Sequence, residues 1–108
     1  MMPEEYLNIF KKYGFVSNSE NNWDIIKQIN QPGQTIVING QQMQQPGKTF
    51  SINYHIEFLG EGLIDNNIAL QFNFQLKINN DIKLEYGEIF ENDTEYFEKR
   101  LNEFLSKI

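Results

Sequence analysis

From Phe50 the chain alternates with a period of two: Phe50, Ile52, Tyr54, Ile56 and Phe58 fall on one side of an extended strand, and Ser51, Asn53, His55 and Glu57 on the other. The pattern returns in Ile68, Leu70, Phe72, Phe74, Leu76 and Ile78, opposed by Gln71, Asn73, Gln75 and Lys77, and again in Ile82, Leu84 and Tyr86, with Lys83 and Glu85 outward. Residues Gly60 to Asn67 read as the first connection and Asn79-Asn80-Asp81 as the second, since Gly, Asn and Asp supply the backbone conformations turns need. One apolar and one polar face follow for the whole hairpin series.

The two ends have helical spacing instead. Between Pro3 and Tyr13 the stripe is Tyr6, Leu7, Phe10 and Tyr13, with Glu4 and Glu5 at the positive end of the helix dipole and Lys11 and Lys12 at the negative end. Gly14 is placed to stop this helix in a left-handed conformation, with Phe15 packing back on Phe10. The last segment opens at Asn92 as N-cap, with Glu95 as capping-box partner, and carries Phe97, Leu101, Phe104, Leu105 and Ile108 as one stripe. Glu95 with Lys99 and Glu103 with Lys107 are i,i+4 pairs in the favourable order. Trp23 to Ile29 fits two periods: Trp23, Ile26 and Ile29 make a helical stripe, while Trp23, Ile25 and Ile29 make a strand face interrupted by Lys27, and we read it as strand.

A near-repeat occupies the middle. Gln31-Pro32-Gly33-Gln34-Thr35-Ile36-Val37-Ile38-Asn39 recurs as Gln45-Pro46-Gly47-Lys48-Thr49-Phe50-Ser51-Ile52-Asn53, a turn and a strand in each copy. Asn39-Gly40 between them is a strong hairpin signal, which pairs Ile36 with Met43 and Ile38 with Gln41. A second two-residue connection at Pro46-Gly47 would then set Met43 opposite Phe50 and Gln41 opposite Ile52, although a type II Pro-Gly turn twists against a tight hairpin.

The elements assemble as a two-layer α+β domain spanning 1–108: a meander-like antiparallel sheet of four to six strands, with N-terminal and C-terminal helices packed on one face. A small barrel or sandwich flanked by the helices is the alternative. Nine Phe, five Tyr and one Trp among 108 residues supply a core large enough to close without staples, and the absence of cysteine removes disulfides, thiolate zinc sites and cysteine nucleophiles. The longest apolar runs are Ile36-Val37-Ile38 and Ile68-Ala69-Leu70, so the expectation is a cytoplasmic chain with no membrane partner. A net charge of −6 argues against nucleic acid, whose phosphates need Lys and Arg.

Candidate chemistry is sparse. His55 is the sole imidazole, on a polar strand face beside Glu57 and, in a simple register, opposite Asn73, and no Ser or Thr nucleophile is identifiable with it. Gly47-Lys48-Thr49 ends like a phosphate-binding loop, but Gln42 stands where that loop needs glycine and a strand follows where it needs a helix. No catalytic, metal or cofactor residue is assigned, and the expectation leans away from an enzyme. Two features stand out. Glu85, Glu88, Glu91, Asp93, Glu95 and Glu98 follow one another with no intervening Lys or Arg. Such a run either solvates a helix start or steers a basic partner. The leading expectation is a small acidic inhibitor or immunity-type protein that blocks a basic macromolecular partner, through Glu85, Glu88, Glu91, Asp93 and Glu95, with Trp23 as an aromatic platform. The second feature is the amide-rich face of Gln42, Gln44, Ser51, Asn53, His55, Glu57, Gln71, Asn73, Gln75 and Lys77. It gives the alternative of a small-ligand or carbohydrate module using His55, Glu57, Asn73 and Gln75.

Overall fold

A computed structural model describes residues 2–107. The elements are α1 (Glu4–Lys12), β1 (Val16–Ser19), β2 (Asn22–Gln31), β3 (Gln34–Ile38), β4 (Gln41–Gln45), β5 (Lys48–Ile64), β6 (Asn67–Ile78), β7 (Asp81–Phe90) and α2 (Thr94–Leu105). One antiparallel sheet runs β1-β2-β5-β6-β7, and β3 and β4 form a separate two-stranded sheet. This is the α+β arrangement expected, a meander interrupted once by an excursion between β2 and β5.

Both helices lie on one face. Their stripes, Tyr6 and Phe10 of α1 and Phe97, Leu101 and Phe104 of α2, are buried against Ile52, Tyr54, Ile56 and Phe58 of β5 and Leu70, Phe72, Phe74 and Leu76 of β6. Trp23 of β2 joins this core, 5.1 Å from the Phe10 ring and nearly parallel to it. On β5 and β6 the helix-facing rows are therefore the ones the alternation marks. Ile108 lies outside the described residues.

The helix ends differ from one another. At α1, Gly14 has φ of +86°, Phe15 N–H donates to the Phe10 carbonyl at 3.0 Å and Gly14 N–H to that of Lys11 at 3.1 Å, with the Phe10 and Phe15 rings 5.4 Å apart. This is the full Schellman ending read from Gly14. At α2 the N-cap is Asp93 rather than Asn92: Asn92 is left-handed at φ +52°, whereas Asp93 is extended and its carboxylate accepts from Tyr96 N–H at 3.1 Å. An N-cap residue needs the extended conformation, so the expected box of Asn92 with Glu95 cannot form. Among the described residues the ion pairs of α2 are also not the expected i,i+4 pairs. Glu98 pairs with Lys12 of α1 at 2.8 Å, and Glu103 is taken by Arg100.

The three tight connections, Asn39-Gly40, Asp65-Asn66 and Asn79-Asn80, each have two successive positive φ values, the requirement of a type I′ hairpin turn. The sequence reading loses the middle one because β5 runs on to Ile64 instead of ending at Gly60. A bulge between Phe58 and Gly60 breaks the alternation there and imitates a loop. A second bulge, opposite Leu76 and Lys77, turns Ile82 away from the helices to face Lys77's side of the sheet.

The excursion overturns one pairing. Asn39-Gly40 does pair Ile36 with Met43 and Ile38 with Gln41, but β4 does not continue onto β5, so Met43 does not face Phe50. β5 pairs with β2, ending at Gln31 opposite Lys48, and the hairpin resumes at Gln34 opposite Gln45. The two Pro-Gly steps therefore lie across from each other, and neither is a turn. A Cβ on Gly33 would lie 2.7 Å from the Gln45 carbonyl oxygen and 3.2 Å from Gly47 N, and one on Gly47 would lie 2.6 Å from the Gln31 oxygen and 3.2 Å from Gly33 N. The contacts are reciprocal, so the near-repeat is a local two-fold crossing in which each copy supplies the glycine the other needs. Beyond it β3 and β4 project as an arm. The radius of gyration is 19.0 Å in an envelope of 71 × 23 × 22 Å, against about 13 Å for a compact chain of this length.

The core sets an alkaline limit on stability. Tyr6 is fully buried, its hydroxyl has no hydrogen-bond partner, and burial, helped by Asp93 and Glu5, pushes its pKa up to about 12. The unfolded chain releases that proton near 10, so between the two values the folded state holds more protons. Stability is then complete below about pH 10 and falls through the window by up to about 1.4 kcal/mol per pH unit. Urea melts at stepped alkaline pH should show this slope, and Tyr6→Phe should make it shallower, leaving the part that Tyr54, Tyr86 and Tyr96, also raised, contribute. An unchanged slope would place the titration elsewhere.

Candidate binding face

The side of the sheet away from the helices is uncovered. Register across β1, β2, β5, β6 and β7 places Val16, Asp24, His55, Gln75 and Glu85 in one row across it, flanked by Asn22, Glu57, Asn73 and Gly87 on one side and by Ile26, Asn53, Lys77 and Ile82 on the other. His55 faces Gln75, and Asn73 faces Glu57, one pair along from the simple register.

The row is tied by hydrogen bonds. His55 Nδ1 lies 2.7 Å from Asp24 Oδ1, with both side chains about 15% exposed, and Asn18 donates to the other Asp24 oxygen. A carboxylate only accepts, so Nδ1 carries the hydrogen and Nε2 is the nitrogen left for a further contact. Asp24 was not legible as the histidine's partner, because β2 and β5 are brought together only after the excursion. At the other end, Gln75 and Asn73 both donate to Glu85, which holds its carboxyl below the usual carboxylate range. Val16, Asn18, Asp24, Ile26, Asn53, His55 and Lys77 line a shallow depression of about 520 Å³, where Asn53 Oδ1 is buried without a hydrogen-bond partner. No Ser, Thr or Cys lines it. Among the described residues no group of three or more His, Asp and Glu is placed to hold a metal ion, and no helix is long and apolar enough to cross a membrane.

Other residues singled out from the sequence are dispersed. Trp23 is buried, so it offers a partner no platform. Gln42 and Gln44 belong to the arm and not to the face. Glu88 points to the helix side, where Arg100 Nε donates to both its oxygens at 2.9 and 3.0 Å and Tyr96 Oη donates at 3.0 Å. Its side chain is 17% exposed. The β-period of two splits the acidic run: Glu85 goes to the open face, Glu88 is neutralised under α2, Asp93 caps the helix, and Glu91 and Glu95 stand exposed at the corner between β7 and α2.

Apolar side chains complete the face. Val16, Ile26, Ile82 and Ile89 are each more than half exposed and all lie on it, with Leu59 at the bulge. The fold and this face define a class: a two-layer α+β domain with one open, mixed apolar and amide sheet surface. No protein-family model, curated protein or solved structure matches the chain.

Proposed function

We propose that this chain is a non-catalytic protein-binding module, an inhibitor or immunity-type protein that blocks a basic partner by covering it with the open sheet face. The observation that carries the reading is the composition of that face. Single exposed aliphatics are ordinary, but Val16, Ile26, Ile82 and Ile89 flanking a fixed polar row on one uncovered sheet give the mixed apolar and hydrogen-bonding surface that protein interfaces present. A basic partner follows from charge. The chain carries −6 overall, Lys12 and Arg100 are engaged with Glu98, Glu88 and Glu103, Glu57 and Glu85 lie on the face, and Glu91 and Glu95 stand exposed at the corner between β7 and α2.

The steering set is Glu85, Glu91 and Glu95. Glu88 is excluded, because reversing it would set a lysine against Arg100 and disturb α2. The triple reversal of the steering set to lysine is expected to lower stability modestly, through the bonds Glu85 accepts from Asn73 and Gln75 and, by up to about 1 kcal/mol, through the place of Glu95 in the first turn of α2, and to slow association with a basic partner at low salt. That slowing should fade as the Debye length drops below about 8 Å. Ile26→Asp should instead speed dissociation, since it puts a charge in the apolar part of the face. Stopped-flow association of both variants tests the reading, and an unaltered rate for the triple reversal would remove the steering role.

The depression beside Asp24 and His55 supports a second reading, a small polar ligand or carbohydrate held by Asn18, Asn53, His55 and Lys77. Amide and imidazole shifts confined to those residues during a glycan titration would favour it over the protein interface.

A further inference from the structure

The arm has unused backbone hydrogen-bonding groups along β3, and we propose that β3 is the seam of a homodimer in which two arms join edge to edge about a two-fold axis. This is independent of the open-face reading. Ile38 and Gln41 flank a two-residue turn and exchange both backbone hydrogen bonds, as do Ile36 and Met43 and Gln34 and Gln45 in alternation. The N–H and C=O groups of Thr35 and Val37 therefore point out of the hairpin along its free edge. Neither β3 nor β4 pairs with the main sheet, and a lone two-stranded hairpin is marginal in water.

The sequence of the arm favours a second copy as the occupant. Exposed edges are normally guarded by charge or proline, but from Gln28 to Gly47 there is no Lys, Arg, Asp or Glu, and inside β3 there is no proline. In a chain of net charge −6 this is a long segment where two copies can meet without like-charge repulsion, and the arm holds it away from the acidic domain. β3 is the better of the two edges, because Thr35-Ile36-Val37-Ile38 is an unbroken β-branched run, while β4 is Gln-Gln-Met-Gln-Gln.

One register satisfies every outward group. Pairing Thr35 with Val37 of the second copy, and Val37 with Thr35, sets Ile36 directly opposite its own symmetry mate. Ile36 shares a side of the hairpin with Met43, so the joined arms carry Met43, Ile36, Ile36 and Met43 as one apolar row across four strands. Met43, now 54% exposed, gains apolar neighbours along that row. The contact is isologous and closes at two copies if only this edge is used.

Analytical ultracentrifugation of the full chain from micromolar to millimolar concentration should show a monomer–dimer equilibrium. Val37→Pro removes an outward N–H while sparing the hairpin's own ladder, and should raise the dimer dissociation constant about tenfold or more with an unchanged monomer melt. Ile36→Cys gives a second test that does not depend on the proline being tolerated. Directly opposed residues of this type sit about 4.5 Å apart at Cα, within disulfide reach, so in this cysteine-free chain mild oxidation should yield a covalent dimer. Gln42→Cys, on the far strand, should not. A chain that stays monomeric throughout, a dimer indifferent to Val37→Pro, or crosslinking through Gln42→Cys in place of Ile36→Cys would each overturn the proposal.

Discussion

Phe74→Ala is expected to destabilise the fold by about 3 to 5 kcal/mol, and Asn73→Ala, one residue away, by less than about 1 kcal/mol. Phe74 is fully buried, stacked on Tyr86 with ring centroids 5.1 Å apart and edge-on to Phe104 at 5.2 Å. Truncation opens a cavity between sheet and α2 that neither neighbour can fill without leaving its own packing. Asn73 points to the open face and gives up one 3.2 Å hydrogen bond to Glu85, which Gln75 still contacts. Denaturant melts of the two variants check this. Similar losses would mean that the open face is covered in solution by something as tightly packed as the helices.

Gly47→Ala is expected to cost about 1 to 3 kcal/mol, a large effect for one added methyl group, because the Cβ meets backbone on the opposite strand and no side chain can rotate out of its way. Gly33→Ala should cost a similar amount. The double variant should cost clearly less than the two together, since the first substitution already separates the strands that the second would clash with. Gly62→Ala is the control: its Cβ would meet nothing within 4 Å, and its φ is not left-handed, so it should be neutral or slightly stabilising. Hydrogen exchange at the Gln31 and Lys48 end of β2 and β5 would report the loss locally. Additive penalties would mean that the two glycines act separately, contrary to the reciprocal geometry.

The helices, the apolar faces of β5 and β6 and the ending at Gly14 were legible because each depends on contacts written within a few residues, such as Phe10 with Phe15 or the alternation from Ile52 to Phe58. What escaped depends on register between distant strands. The partner of His55 is Asp24, 31 positions away, and nothing local to either residue fixes that the chain leaves the sheet after Gln31 and returns at Lys48. The alternation puts Ile82 on the helix side for a related reason, since it does not show the single bulge opposite Leu76 and Lys77 that reverses the side chains between it and the turn. Glu88 looks like one more member of an acidic run until α2 is laid over β7. Only then does Arg100, twelve residues on, claim it.

The crossing of Gln31-Pro32-Gly33 over Gln45-Pro46-Gly47 also constrains how this architecture can vary. Because each glycine is needed by the other strand's backbone, the distance from the crossing to the Asn39-Gly40 tip must stay equal along both limbs. Related chains would then lengthen or shorten the arm only by matched insertions or deletions, one residue in β3 for each residue in β4. An odd change in both limbs would turn the side of the arm that carries Ile36 and Met43 to the opposite face relative to the domain. The reach of the arm can thus drift, in paired steps of two per limb, without disturbing the sheet at its root.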